Sequence, residues 1–292
     1  MDDNAMFFVS VGGVLLSFMI IVVFAAVRKK QLRERRQEKG VIWLHKLRLL
    51  LSAIQKHRGL TTGYLKGGND ILKDIGPLQV SIHREVSAIV NVGGWMEEHL
   101  RWQNINQHWA RLSSNYSTNN ADNNLLQHNN LIQNILYLID DMAQEHDLLL
   151  LKSVGDKPLH LLWRELLTAG EYIGQVRAIG TGVAAAQHCD SVSKIRLTYL
   201  CKKIEENTQR VWSKIRPDEH HLHKVSELLS CVNDQVMREQ PTISSSEYFK
   251  IASDALDSIH SQYDYHIEQA VIVPTREVEA VVHNKRQELV IS

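Results

Sequence analysis

Apolar side chains recur at every third or fourth position along most of this chain, which is the period of an amphipathic α-helix. The first such face contains Leu44, Leu47, Leu51, Ile54, Arg58, Thr61 and Leu65. A second face contains Leu159, Leu162, Leu166, Gly170, Ile173, Arg177, Gly180 and Ala184. This periodicity, in a chain of 292 residues with only 5 prolines, predicts an all-α fold.

Residues that start or stop helices divide the chain into about eight helices. Gly67 and Gly68 are predicted to end the first helix as a glycine C-cap. Later starts are predicted at Asp190, at Pro217 with Asp218, and at the Ser244–Glu247 capping box. Another single helix is predicted to carry Trp95, Trp102 and Trp109 along one buried stripe. Short turns between the helices indicate antiparallel bundles.

Two arginines occupy positions in the apolar faces where leucine would be expected. A guanidinium keeps its charge, so Arg58 and Arg177 must each face an anion or reach water. Two interpretations are open: each arginine forms a structural salt bridge with an acidic side chain, or the two together bind a small anion. The acidic candidates for salt bridges are Asp140, Asp141, Glu145 and Glu171.

A planar anion such as nitrate suits arginine, because the parallel N–H donors of a guanidinium match two oxygens at once. Thr61 and Thr62 lie one turn from Arg58 and are candidate hydroxyl donors. Glycine lowers helix propensity, so the glycines around the second face indicate close helix approach or room for a small ligand. These glycines are Gly170, Gly174, Gly180 and Gly182. The candidate anion-binding residues are therefore Arg58, Arg177, Thr61 and Thr62.

The first part of the chain has the pattern of a membrane anchor. Residues 6–27 carry no charge and would form a helix of about 33 Å, enough for a bilayer core. The residues that follow are rich in lysine and arginine, which by the positive-inside rule places the short N-terminus outside and the remainder in the cytoplasm. The sequence thus predicts a single-pass protein of the cytoplasmic (inner) membrane.

Composition excludes several classes of function. With 33 basic and 33 acidic side chains, the chain lacks the strongly basic balance of a nucleic-acid-binding domain. Cys189, Cys201 and Cys231 are widely spaced, which suits a reducing compartment rather than a disulfide framework. The histidines at positions 220, 221 and 223 open a helix, where exposed polar residues are common, and are not assigned to a metal. No arrangement of catalytic residues is evident, so we expect neither an enzyme nor a cofactor.

The segments around the two arginines resemble a known family. Gln55–Leu65 reads Gln-Lys-His-Arg-Gly-Leu-Thr-Thr-Gly-Tyr-Leu, and Leu162–Gly182 starts with Leu-Trp and contains Glu-Tyr-Ile-Gly-Gln-Val-Arg-Ala. These motifs, in this order, resemble the nitrate- and nitrite-sensing domain family, called NIT, which occurs in bacterial receptors and transcription antiterminators. The resemblance covers residues 43–272.

The resemblance implies two four-helix bundles that share long helices, with nitrate or nitrite bound between helices by Arg58 and Arg177. It also implies a third binding arginine, for which Arg210, Arg216 and Arg238 are candidates. The expected organisation is an anchor (1–27), a basic linker (28–42), the sensor domain (43–272) and a charged tail (273–292). We expect this sensor to signal by helix repacking, as a homodimer or to a separate output protein. The alternative is a membrane-anchored helical scaffold that senses nothing.

Overall fold

The fold is built almost entirely from helices. A computed structural model describes the backbone of residues 3–66, 72–153 and 157–291, and the side chains of residues 13, 15–66, 72–151 and 157–270. The α-helices within these ranges are α1 (Asp3–Leu65), α2 (Leu72–Val90), α3 (Trp95–Glu98), α4 (Leu100–Asn115), α5 (Ala121–Glu145), α6 (Leu167–Ala186), α7 (Ser191–Trp212), α8 (Glu219–Cys231) and α9 (Ser245–Ile291). Strands β1 (Lys152–Ser153) and β2 (Lys157–Pro158) form a small antiparallel pair between α5 and α6. The predicted all-α class is confirmed.

The predicted helix starts are visible as caps. Asp190 before α7 and Asp218 before α8 each accept a hydrogen bond from the backbone N–H three residues further on. At α9 the N–H of Glu247 donates to the hydroxyl of Ser244 (3.2 Å). Each cap satisfies a backbone donor that the first turn of a helix would otherwise leave unpaired.

Other boundaries differ from the prediction. The predicted tryptophan helix is two helices, because the backbone at His99 is extended (φ −77°, ψ 119°), so Trp95 lies in α3 and Trp102 in α4. Helix α2 begins at Leu72 and contains Pro77. Gly67 and Gly68, which were predicted to end the first helix, lie outside the described residues. Helix α9 continues to Ile291, so the expected boundary at residues 272–273 falls within a helix. Side chains after residue 270 lie outside the described part of the chain.

Contacts between helices divide them into two sets. Helix α1 packs on α2 and α5, and α5 packs on α4; α6 packs on α7 and α9, and α8 on α9. The apolar face of α1 forms the core of the first set, with Leu47, Leu51 and Ile54 almost completely buried. The two sets meet where α1 contacts α6 and α9 and where α5 contacts α6. The buried face of α1 therefore continues into the boundary between the sets.

Glycines allow α6 and α9 to approach closely. A Cβ atom added at Gly180 would lie 2.4 Å from the ring of Tyr248, and one at Gly170 would lie 3.3 Å from Ile259. Tyr248 is fully buried and donates its hydroxyl hydrogen to the carbonyl of Val176 (2.8 Å). A larger residue at position 180 would displace this ring.

The expected membrane anchor is contradicted. Among the residues with described side chains, no helix is both long and apolar enough to cross a bilayer. Residues 15–27 of the expected span belong to that part of the chain. Residues 6–12 and Val14, also part of the expected span, lie outside the described side chains. The predicted single-pass inner-membrane localisation was wrong, and the membrane is not supported as a partner.

Candidate functional site

Arg58 lies where the two sets of helices meet. Its position in the apolar face of α1 leaves the side chain only 1% exposed. The Nη1 atom of Arg58 donates to Glu171 Oε1 on α6 (2.5 Å) and to Asn129 Oδ1 on α5 (2.7 Å). One guanidinium nitrogen therefore joins α1, α5 and α6.

Glu171 is surrounded by N–H donors. Its Oε1 atom accepts from Gln175 Nε2 (2.9 Å) in addition to Arg58, and its Oε2 atom accepts from Gln55 Nε2 (2.9 Å). The residue is 2% exposed, so these side chains replace the water that a carboxylate normally binds. Glu171 is one of the four acidic residues considered as a salt-bridge partner, and it forms that salt bridge with Arg58.

The second terminal nitrogen of Arg58 is unsatisfied. In the described part of the chain, Arg58 Nη2 is buried without a hydrogen-bond partner, and so is Gln55 Oε1. A Cβ atom at Gly174 would lie 2.6 Å from Nη2, so the guanidinium rests directly against the backbone of α6. Buried polar atoms nearly always have partners, and a buried cationic N–H pair without one is a candidate position for a bound anion.

Arg177 lies on the same helix, about one turn after Gly174, and is partly buried. Its Nη1 atom donates to Ser253 Oγ on α9 (3.0 Å), and its guanidinium carbon lies 5.1 Å from the ring centre of Phe249. No carboxylate within the described side chains comes within 4.0 Å of it. Burial lowers the pKa of Arg177, and the positive charge of Arg58 lowers it further, whereas nearby carboxylates raise it.

Thr61 and Thr62 face α5. The Thr61 hydroxyl donates to the carbonyl of His57 within α1 (2.8 Å), and both threonine hydroxyls accept from Asn124 Nδ2 at 3.0 Å. The hydroxyl hydrogen of Thr61 is therefore already used inside its own helix. A role of these threonines in binding an anion stays a prediction.

A buried histidine pair beside Arg58 was missed by sequence reasoning. The contacts assign the tautomers: Gln79 Nε2 donates to His57 Nε2 (3.1 Å), His57 Nδ1 donates to His128 Nε2 (2.8 Å), and His128 Nδ1 donates to the carbonyl of Asn124 (2.7 Å). Burial lowers the pKa of His57 to about 4 and that of His128 to about 3. The available signal was position, since His57 directly precedes Arg58 in the buried face of α1.

The three candidates for a third binding arginine, Arg210, Arg216 and Arg238, are all exposed. Among the described side chains, a second arginine buried at the boundary between the helix sets is Arg48, whose Nε atom donates to Asp264 Oδ1 on α9 (2.8 Å). Arg48 directly follows Leu47 in the buried part of α1, so the helical period alone could have indicated it.

Together these observations define an all-α protein with a buried, incompletely satisfied arginine between two sets of helices. No family model matches the chain, and no curated protein is significantly similar to it in sequence. Its fold is similar to that in the structure of the NasR transcription antiterminator, with a TM-score of 0.61 and 13% identical residues. The similarity covers 91% of this chain and 77% of that chain. At this identity the likeness shows a shared fold alone.

Proposed function

We propose that this chain is a sensory helical domain that binds nitrate or nitrite between α1 and α6. The observation that carries the proposal is the buried, unpartnered Nη2 atom of Arg58 against the backbone of Gly174, with Arg177 on the same helix. Arg58 and Arg177 bind the anion, and the altered packing of α1 against α6 passes the signal to a second copy or to a separate output protein. The proposal includes no catalytic activity.

The chemistry of the two arginines supports a small planar anion. Burial and the charge of Arg58 both act against the charged form of Arg177, so an anion near the two groups stabilises both charges. Nitrate and nitrite are planar, and the parallel N–H donors of a guanidinium match two of their oxygens at once, which the compact ammonium group of a lysine does not.

The sequence motifs and the fold support the same class of protein. The motifs around Arg58 and Arg177 resemble the NIT family, which occurs in transcription antiterminators, and the fold is similar to that of a transcription antiterminator. In this proposal residues 43–272 form the sensor domain, and the two sets of helices are two four-helix bundles that share long helices.

The test is titration of nitrate and of nitrite into the full chain, followed by chemical unfolding. A ligand at 100 times its dissociation constant should raise the free energy of unfolding by about 2.7 kcal/mol. Arg58→Lys should abolish this increase, because lysine lacks the second N–H-bearing nitrogen. The matched control is Arg164→Lys, at an exposed arginine paired with Asp140 (2.6 Å), which should keep it. No increase in the wild-type chain at millimolar nitrate or nitrite would refute the proposal.

A second candidate function is a helical interaction protein that senses nothing. The observation in its favour is the salt bridge between Arg58 and Glu171, which already gives the buried arginine a counter-ion. In that case nitrate should leave the unfolding free energy of the wild-type chain unchanged, and it should likewise leave that of Arg58→Lys unchanged.

A further inference from the structure

We propose that Glu171 is an internal ligand of this site. Its carboxylate occupies the anion position in the unliganded protein, and it must leave Arg58 before an external anion binds with full affinity. This inference rests on the proposed function and specifies how the same site is regulated.

The surroundings of Glu171 are those of an anion site. A carboxylate is planar and presents two oxygens on one carbon, as nitrite does on nitrogen and as one edge of nitrate does. Donors from Arg58, Gln55 and Gln175 approach these oxygens at 2.5–2.9 Å. The side chain is almost completely buried, so these N–H donors surround the planar carboxylate of Glu171 away from water.

The carboxylate of Glu171 pairs with only some of the polar atoms around it. An arginine and a carboxylate that pair freely form two parallel hydrogen bonds, but here Glu171 reaches only Nη1 of Arg58, and Nη2 has no partner among the described residues. The Oε1 atom of Gln55 is also unpartnered. Because its carboxylate is tethered to α6, Glu171 cannot centre on the guanidinium, whereas a free planar anion can.

Displacement of Glu171 connects binding to the packing of helices. Both hydrogen bonds from α1 to Glu171, from Arg58 and from Gln55, end on α6 and are lost when an external anion takes the position. Arg58 also holds Asn129 on α5 through the same nitrogen. Exchange of the internal anion for the external one therefore changes how α6 is held against α1, at the same guanidinium nitrogen that holds α5.

The experiment compares nitrate binding by the wild-type chain and by Glu171→Gln. If the carboxylate occupies the site in about 90–99% of molecules, its removal raises the apparent affinity about 10- to 100-fold. The matched control is Glu165→Gln, which removes a carboxylate paired with the exposed Arg210 and should leave nitrate affinity unchanged. Nitrate affinity that is unchanged or weaker in Glu171→Gln, with the wild type binding nitrate, would overturn the internal-ligand inference and leave the proposed function standing.

The same experiment also detects failure of the proposed sensing function. If nitrate stabilises Glu171→Gln but nitrite and nitrate leave the wild type unchanged at millimolar concentration, the internal ligand is supported and the sensing function is refuted. If neither protein responds, both are refuted.

A second variant covers the case in which Glu171→Gln does not fold. Glu171→Ala leaves a space for a free carboxylate, so sodium formate should recover most of its lost thermal stability, while the same concentration of formate should not affect Glu165→Ala. If neither formate nor nitrate restores the thermal stability of Glu171→Ala, the inference is overturned.

Discussion

Two buried arginines on α1 join it to the second set of helices, and they do so differently. Arg48 uses its Nε atom (2.8 Å) and its Nη2 atom to bind both oxygens of Asp264, and its Nη1 atom reaches Ser52 Oγ (3.4 Å). Arg58 uses Nη1 twice, and its Nη2 atom has no partner within the described side chains. All three nitrogens of the first arginine are satisfied by the protein itself.

The difference separates a structural contact from a candidate binding site. A bidentate pair such as Arg48 with Asp264 fixes α1 against α9, and each of the three nitrogens of Arg48 already donates to a protein group. Arg58 is more deeply buried and less completely paired, which costs stability unless another partner supplies the missing contacts. Both arginines are buried, so it is the unsatisfied Nη2 donor that makes Arg58 the candidate.

The largest expected effect is the loss in free energy of unfolding when Arg58 is replaced. Arg58→Met leaves Glu171 charged and buried without its cation, so the free energy of unfolding should fall by about 3–5 kcal/mol, measured by urea unfolding. The control is the double variant Arg58→Met/Glu171→Leu, which removes both charges and should recover most of that loss. A loss below about 1 kcal/mol in the single variant would show that the pair is not sealed from water.

A second test measures how the free energy of unfolding depends on pH. It examines a property shared by the surroundings of Arg58 and of Arg48, a buried histidine. Burial lowers the folded-state pKa of His128, near Arg58, to about 3. Burial also lowers the pKa of His260 to about 3, and this histidine contacts Ser52, which is itself hydrogen-bonded to Arg48. Below pH 6.5 the unfolded chain binds protons that these folded histidines do not, so stability falls as the pH drops from 6.5 towards 4. Each contributes about 1.4 kcal/mol per pH unit.

His128→Gln and His260→Gln should each reduce the slope of unfolding free energy against pH by about that amount. The measurement is urea unfolding at a series of pH values from 6.5 to 4.5, and His220→Gln at an exposed position is the control. A slope unchanged in both variants would mean that neither ring stays neutral in the folded protein.

A third test fills the space beside the unsatisfied nitrogen. Gly174→Ala places a Cβ atom 2.6 Å from Arg58 Nη2, so the guanidinium must shift, although the alanine also favours the helix. We expect a net loss of about 1 kcal/mol in stability and loss of the nitrate-induced stabilisation. The control is Gly59→Ala on α1, where the added Cβ has no neighbour within 4 Å, which should stabilise by about 0.5–1 kcal/mol. Nitrate binding that survives in Gly174→Ala would place the anion elsewhere.

The sequence predicted local features better than long-range pairing. The buried face of α1 and the caps at Asp190 and Asp218 depend on nearby residues, and the structure has them. The partner of Arg58 could not be chosen from four acidic residues, because Glu171 lies 113 positions away and meets Arg58 only through the packing of α6 on α1. The break at His99 was missed because the spacing of seven between tryptophans continues across the extended residue that separates α3 from α4.

The smallest expected effect is at Arg48, and it tests the comparison directly. Arg48→Lys keeps the positive charge near Asp264 but loses the two parallel hydrogen bonds, and because this pair is partly exposed the cost should be about 1 kcal/mol or less. The nitrate-induced stabilisation should persist, since each of the three nitrogens of Arg48 already donates to a group of the protein itself. Urea unfolding of Arg48→Lys and Arg58→Lys, each with and without nitrate, measures both quantities together. Equal loss of the nitrate effect in the two variants would show that ligand binding depends on the general packing of α1, and not on the unsatisfied donor of Arg58.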